Sequence, residues 1–182
     1  MTSPFRNPEF ESSRLAMRPQ SAADAEALFE AYGDAHLMTW WSSGPHTSVA
    51  QTVEYLTASD LPSDWRGWTM VDRDSGDVIG TLAAGNVRPG VVEVGYMVIR
   101  RFWGRGYARE SVTRLLDLLF AEEGHRRVMA DVDPDNAASI GLVKRLGFTL
   151  EGRLRGEWET HIGVRDSLIW GLLRDEWHGR TA

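Results

Sequence analysis

The segment Arg101-Phe102-Trp103-Gly104-Arg105-Gly106-Tyr107-Ala108 joins an apolar run over residues 91–99 to an amphipathic run over 108–120. The first run reads as a strand and the second as a helix, so the chain must make a strand, a glycine-bearing turn and a helix N-terminus in succession. A helix N-terminus carries unpaired backbone N–H groups and the positive end of the helix dipole, and so receives anions. Gly104 and Gly106 lack a Cβ, which permits positive φ and a close backbone approach to a ligand. Arg101 and Arg105 add charge suited to a polyphosphate. A ligand containing a pyrophosphate fits this turn most economically, although glycines at such a turn also serve packing alone.

The rest of the chain alternates short strands with helices. Residues 14–18 alternate and are bounded by Pro19, giving a first strand. Ser21 with Asp24 opens a helix whose apolar positions Ala25, Leu28, Phe29 and Tyr32 lead to Gly33. Residues 34–46 read as irregular, and 48–57 as a second helix. Strands over 65–71 and 78–84 flank a turn rich in Asp, Ser and Gly, a hairpin signal. A strand over 127–132, a short helix from Asn136, a piece over 148–152 and a last strand around 166–173 complete the order. This is an α+β (mixed α/β) pattern, with no repeats and no obvious linker, and the simplest organisation is one domain over 1–182.

Composition narrows the function. The chain of 182 residues has a formal net charge of -6, which disfavours nucleic acid as its main partner and is compatible with a cationic substrate. It contains no cysteine, which excludes a disulfide framework, a thiolate metal site and a covalent acyl-cysteine intermediate. The histidines show no metal spacing, so no metal is expected. Residues 1–10 lack the basic and apolar regions of a leader, and no apolar run is long enough to span a membrane. A cytoplasmic protein with no membrane partner is the expectation.

A second motif lies downstream. Asn136-Ala137-Ala138-Ser139 opens a short helix that closes on Lys144-Arg145-Leu146-Gly147-Phe148. Together the two stretches resemble the GNAT acetyltransferase superfamily, in which Arg or Gln, two residues, Gly, one residue, then Gly or Ala binds the pyrophosphate of acetyl-CoA. That pattern falls here on Arg101, Gly104 and Gly106. Trp103 to Ala108, Glu93-Val94-Gly95-Tyr96 and the closing run 165–173 are most similar to the RimJ/RimL-type branch, which acetylates N-terminal amines of ribosomal proteins. That branch also contains enzymes for other amines. The resemblance implies a mostly antiparallel sheet of about seven strands flanked by helices, with two central strands, 91–99 and 127–132, that splay apart.

It also implies roles. Acetyl-CoA is the co-substrate. Its pantetheine arm bonds to the backbone near Met97 and Val98, its pyrophosphate meets Arg101, Gly104, Arg105, Gly106, Tyr107 and Ala108, and Asn136 binds a pantetheine amide while also able to cap its helix. Glu93 is the proposed base for the amine, the alternative being a solvated glutamate on the outer face of its strand. Ser139 is the candidate acid for the leaving thiolate, the alternative being support of the helix start. The tyrosine that many superfamily members carry one turn further on is Val143 here. Trp40, Trp41, His46 and Trp158 are candidate acceptor-site residues. The tryptophans alternatively pack the core and rim, and His46 alternatively belongs only to a loop before a helix.

The implied reaction is direct transfer of an acetyl group to a primary amine, on a peptide N-terminus or a small molecule such as an antibiotic. A homodimer is allowed. One rival is an acyl-CoA-binding module without turnover, for which Val143 speaks. Another is a dinucleotide-dependent oxidoreductase, which needs a third glycine or alanine where Arg109 follows Ala108, and a βαβ order that the chain does not show.

Overall fold

The computed structural model describes residues 7–57 and 64–179, so the leader reading over 1–10 falls partly outside the described residues. The strands are β1 (Phe10–Glu11), β2 (Leu15–Pro19), β3 (Trp65–Asp72), β4 (Val78–Arg88), β5 (Val91–Val98), β6 (Arg127–Val132), β7 (Thr149–Thr160) and β8 (Gly163–Leu173). They form one eight-stranded sheet in the order β1-β2-β3-β4-β5-β6-β8-β7. The helices are α1 (Ala25–Tyr32), α2 (Ala35–Met38), α3 (Val49–Thr57), α4 (Tyr107–Asp117) and α5 (Ala137–Leu146).

Every neighbouring pair of strands is antiparallel except β5–β6. The α4 crossover returns the chain in the same direction, which makes that one pair parallel. Its register holds only from Val91↔Arg127 to Glu93↔Met129, and the strands then part. The expected splay is therefore present between the two strands for which it was expected.

Register fixes which helices cover which face. Thr81 pairs with Met97 and Leu82 with Tyr96. Thr81 hydrogen-bonds to Tyr32 of α1, whereas Tyr96 meets Ser139 of α5. Successive strand residues point to opposite faces, so α1 and α5 lie on opposite sides of the sheet. Both layers are filled by buried apolar side chains, among them Leu28, Ala31 and Tyr32, and Leu115, Leu119 and Val143.

Three expectations change. The sheet has eight strands rather than seven, because β1 is only two residues long and shows no periodicity. The segment 34–46 contains the single-turn α2, whose start is capped by Asp34 Oδ1 accepting from the N–H groups of His36 (2.9 Å) and Leu37 (3.3 Å). The piece expected over 148–152 is the start of a longer strand, β7, which also carries Trp158. That strand is exposed along most of its length, so it lacks the alternation that reveals a half-buried strand.

Glu110 ties α4 to the turn between β1 and β2. This buried carboxylate accepts from Ser12 Oγ (2.7 Å), Ser13 Oγ (3.0 Å), Arg14 N–H (2.8 Å) and Arg14 Nε (2.7 Å). Removing it leaves a backbone donor and a guanidinium without their acceptor. Glu110→Ala is expected to destabilise the protein by about 2–3 kcal/mol, read as a lower urea midpoint at unchanged slope. An unmoved midpoint would show that the tie contributes nothing.

Candidate functional site

The turn before α4 is shaped by its glycines. Gly104 and Gly106 have φ of 75° and 81°, values that side-chain-bearing residues rarely adopt. Gly106 occupies the N-cap position, and no side chain caps the helix there. The first helical bond is made by Glu110 N–H to the Gly106 carbonyl at 3.0 Å, so the N–H groups of Tyr107, Ala108 and Arg109 lie ahead of the helical ladder. A Cβ added at Gly104 would meet nothing within 4 Å. The result is an open cradle of backbone donors at the positive end of a helix dipole. Tyr107 is pinned beside it, its hydroxyl donating to Asp72 Oδ2 at 2.7 Å.

A cavity of about 1030 Å³ runs from this cradle along β5. Gly104, Gly106, Tyr107 and Ala108 line its mouth, Met97 and Val98 its wall, and Asn136 and Ser139 the side formed by α5. From Val94 onward, the edge of β5 that faces β6 has no strand beside it. The Val98 carbonyl accepts from Trp103 Nε1 at 2.7 Å. Asn136 caps α5, its Oδ1 accepting from Ser139 N–H at 3.1 Å. Tyr96 reaches across from β5, with its hydroxyl 2.6 Å from Ser139 Oγ.

Glu93 lines the cavity where β5 and β6 part. Burial, and secondarily the charge of Asp131, push its carboxyl up to about 7. Asp131 is itself pushed up by burial, against a hydrogen bond from Trp158 Nε1 at 2.9 Å. Ser167 donates to its other oxygen. The neighbouring Asp133 is instead paired with Arg165 at 2.8 Å and held below the ordinary carboxylate range. Trp40, Trp41 and Trp158 line the same cavity.

The structure moves three expected site residues away. Arg101 pairs with Glu30 at 3.0 Å and lies over the Phe102 ring at 4.6 Å, and Arg105 lies over the same ring at 5.5 Å. Neither lines the cavity, so the cradle is made of backbone rather than of these guanidinium groups. His46 is buried in the helical layer, stacked on Tyr32 at 4.9 Å with its Nδ1 2.9 Å from Thr52 Oγ1. Burial holds its pKa down, and it is not among the residues that line the cavity. Two residues were missed as site members. Asp131 shares a strand face with Arg127 and Met129 by simple alternation, and that was its only signal. Tyr96 was seen only as a neighbour of Glu93.

The family described as "Acetyltransferase (GNAT) domain" matches residues 14–149. The chain is 31% identical to the uncharacterized N-acetyltransferase YoaA of Bacillus subtilis (strain 168), over 92% of this chain and 97% of that protein. It is 28% identical to the [ribosomal protein uS5]-alanine N-acetyltransferase of Escherichia coli (strain K12), over 51% of this chain and 53% of that enzyme. A solved structure of a probable GNAT-family acetyltransferase from Chromobacterium violaceum ATCC 12472 superposes with a TM-score of 0.86 at 26% identity, covering 95% of this chain and 89% of that one.

Glu93 makes stability depend on pH. Its carboxyl is harder to ionise in the folded protein than in the unfolded chain. Its contribution is therefore full below the ordinary value of 4.5 and is lost as the pH rises to about 7. The ionised group then costs on the order of 3 kcal/mol. Glu93→Gln is expected to raise the urea midpoint at pH 8 and to leave it unchanged at pH 4. Equal midpoints at pH 8 would mean that the carboxylate is already well solvated.

Proposed function

From the premise that the chain belongs to the GNAT acetyltransferase family and is an acetyl-CoA-dependent N-acetyltransferase of RimJ/RimL-type likeness, we propose that Glu93 is the base that deprotonates a cationic primary amine. The observation that carries this reading is a single carboxyl group. Glu93 is enclosed, is hydrogen-bonded to no donor among the described residues, and sits where the sheet opens, with its pKa near 7. A general base works best when its pKa lies near the working pH.

The residues present fit acetyl-CoA. The backbone N–H groups of Tyr107, Ala108 and Arg109 would hold the pyrophosphate, with Gly104 and Gly106 letting it approach. The free edge of β5 at Met97 and Val98 would take the pantetheine arm as an added strand does. Asn136, whose side-chain NH2 has no partner among the described residues, would bind an amide carbonyl. Acetyl-CoA, when bound, supplies the acetyl group as a thioester. The chain supplies no cysteine, so the amine attacks directly.

At the far end, Glu93 takes the ammonium proton and Asp131 adds a second carboxylate that favours a cationic acceptor. Trp40, Trp41 and Trp158 wall this end and keep water from the thioester. Ser139 stands beside the path of the leaving sulfur. We assign residues 1–182 to one acyl-CoA N-acyltransferase domain working in the cytoplasm. Among the described residues, no helix is long and apolar enough to cross a membrane. The acceptor is a peptide N-terminus or a small cationic amine, and the enclosing tryptophans favour the small amine.

Acetyl-CoA at about 100 times its Kd is expected to stabilise the protein by roughly 2.7 kcal/mol, a rise of several degrees in Tm, with NAD giving none. Gly106→Val, which places a β-branched residue at a left-handed position, should abolish that rise. No shift with acetyl-CoA for a folded sample would overturn the assignment of the cradle.

Turnover with small amines and with N-terminal peptides is read as thiol release. Glu93→Gln is expected to lower kcat by about 10²-fold without weakening acetyl-CoA binding. In the unaltered protein, kcat/KM should climb tenfold per pH unit up to about pH 7 and then level, since only ionised Glu93 accepts a proton. Unchanged kinetics in the variant would remove Glu93 as base.

A further inference from the structure

Tyr96 Oη and Ser139 Oγ face each other at 2.6 Å in the cavity wall. Among the described residues neither hydroxyl has another partner. Two hydroxyls carry two hydrogens. One lies between the oxygens, and the other has no acceptor in the protein.

The position of the pair is informative. Tyr96 stands on β5 between Met97, in the wall that leads from the cradle, and Glu93, where β5 and β6 part. Along α5 the only hydroxyl is that of Ser139, and Val143 one turn further on is buried in the core at 1% exposure. Alternation along β5 sends Glu93 to the face covered by α1 and Tyr96 to the face covered by α5. The amine's proton and the departing sulfur therefore have separate partners on opposite sides of the strand. Burial pushes the Tyr96 phenol up to about 12, so it remains a donor at any working pH and does not empty as a proton store.

Resting on the acetyl-CoA reading above, we propose that the Tyr96–Ser139 pair is a built hydrogen-bond donor for the leaving sulfur, with Tyr96 as its positioning residue. Tyr96 donates to Ser139 Oγ, which turns the serine's own hydrogen into the cavity. During transfer the carbon–nitrogen bond forms, the carbon–sulfur bond breaks, and its electron pair goes to sulfur. Two protons leave the ammonium nitrogen: Glu93 takes one before attack, and water takes the other as the carbon–nitrogen bond forms. The serine hydrogen bond stabilises the thiolate until water protonates it, and Glu93 returns its proton to water. A donor already aimed at the place where charge develops needs no reorganisation during reaction.

The test needs no acceptor. Coenzyme A is bound to the protein, and the ionisation of its thiol is followed by thiolate ultraviolet absorbance across pH. The measurement is made on the unaltered protein, on Tyr96→Phe, on Ser139→Ala and on the double variant. The thiol is expected to ionise about one pH unit lower in the unaltered protein than in either single variant, a tenfold change in its ionisation constant. The double variant should lose no more than either single, because the two hydroxyls act as one unit. Tyr96→Phe should also lower kcat about tenfold at unchanged acetyl-CoA affinity.

Equal thiol ionisation in all four proteins overturns the proposal, as do independent, additive losses. Weaker binding of coenzyme A with unaltered thiol ionisation also overturns it, since Tyr96 would then only pack. Should Tyr96→Phe unfold, Ser139→Ala carries the same test. Failure of the unaltered protein to bind coenzyme A would sink the acetyl-CoA reading and this inference with it. Binding with no difference between variants sinks only the inference.

Discussion

One incomplete strand pair organises this molecule. β5 is fully paired with β4, and β6 with β8, but β5 and β6 share a register of only three residue pairs. Each strand is held firmly on its far side, so the two can part without unravelling the sheet. The parting leaves backbone groups of β5 beyond Glu93 without a strand beside them. Buried backbone donors and acceptors need partners; Trp103 Nε1 serves the Val98 carbonyl, and the proposed acetyl-CoA arm would serve others along this edge. The crossover that makes the pair parallel also sets the N-terminus of α4 just past the end of β5. The cradle and the free strand edge are thus products of the same connection.

The distribution of arginine shows where charge is left unanswered. Asp24 is paired with Arg18, Glu110 with Arg14, Glu123 with Arg66, Glu151 with Arg127 and Asp133 with Arg165. Each of these carboxyls is held below its ordinary pKa. Among the described residues Glu93 and Asp131 have no such cation, and both are pushed up. Enclosing two carboxyls without a counter-ion works against stability. This uncompensated acidic spot is the feature on which the proposed cationic acceptor rests: such an amine would supply the missing charge, and a proton on Glu93 would relieve the repulsion.

Much of the fold was legible because its signals are local. The 91–99 run, the two glycines and the 108–120 periodicity specified the strand, turn and helix to within three residues of the observed bounds. The Asp72–Asp77 turn announced the β3–β4 hairpin. What escaped lacked local contrast. β7 is exposed along most of its length, and α2 is a single turn. The side-chain errors share another cause. Arg101 was expected at an anion, but Glu30 of α1 holds it elsewhere. His46 was a candidate for the acceptor site or for a loop before a helix, and Tyr32 and Thr52 hold it in the helical layer. Partners distant in sequence decided both outcomes. Tyr96 and Asp131 became visible only once register placed one opposite α5 and the other beside Trp158.

Strand alternation then explains how a deep donor site and an open acceptor site coexist. On β5, Glu93, Gly95 and Met97 point to the face of α1, and Val94, Tyr96 and Val98 to the face of α5. A cavity that passes the edge of β5 where β6 has turned away touches both sets. On the proposed reading, α4 and α5 would hold the nucleotide end on one face, while Trp40 and Trp41, which line the same cavity, would approach the thioester from the other. Had β5 and β6 stayed paired through Val98, the sheet would have been a wall between these two layers. Glu93 would have had no route to a proton on the donor side, and the hydroxyls of Tyr96 and Ser139 no access to the sulfur. The short register of one parallel pair is thus the condition under which the proposed base and the proposed hydrogen-bond donor would reach the same bond exchange from opposite sides.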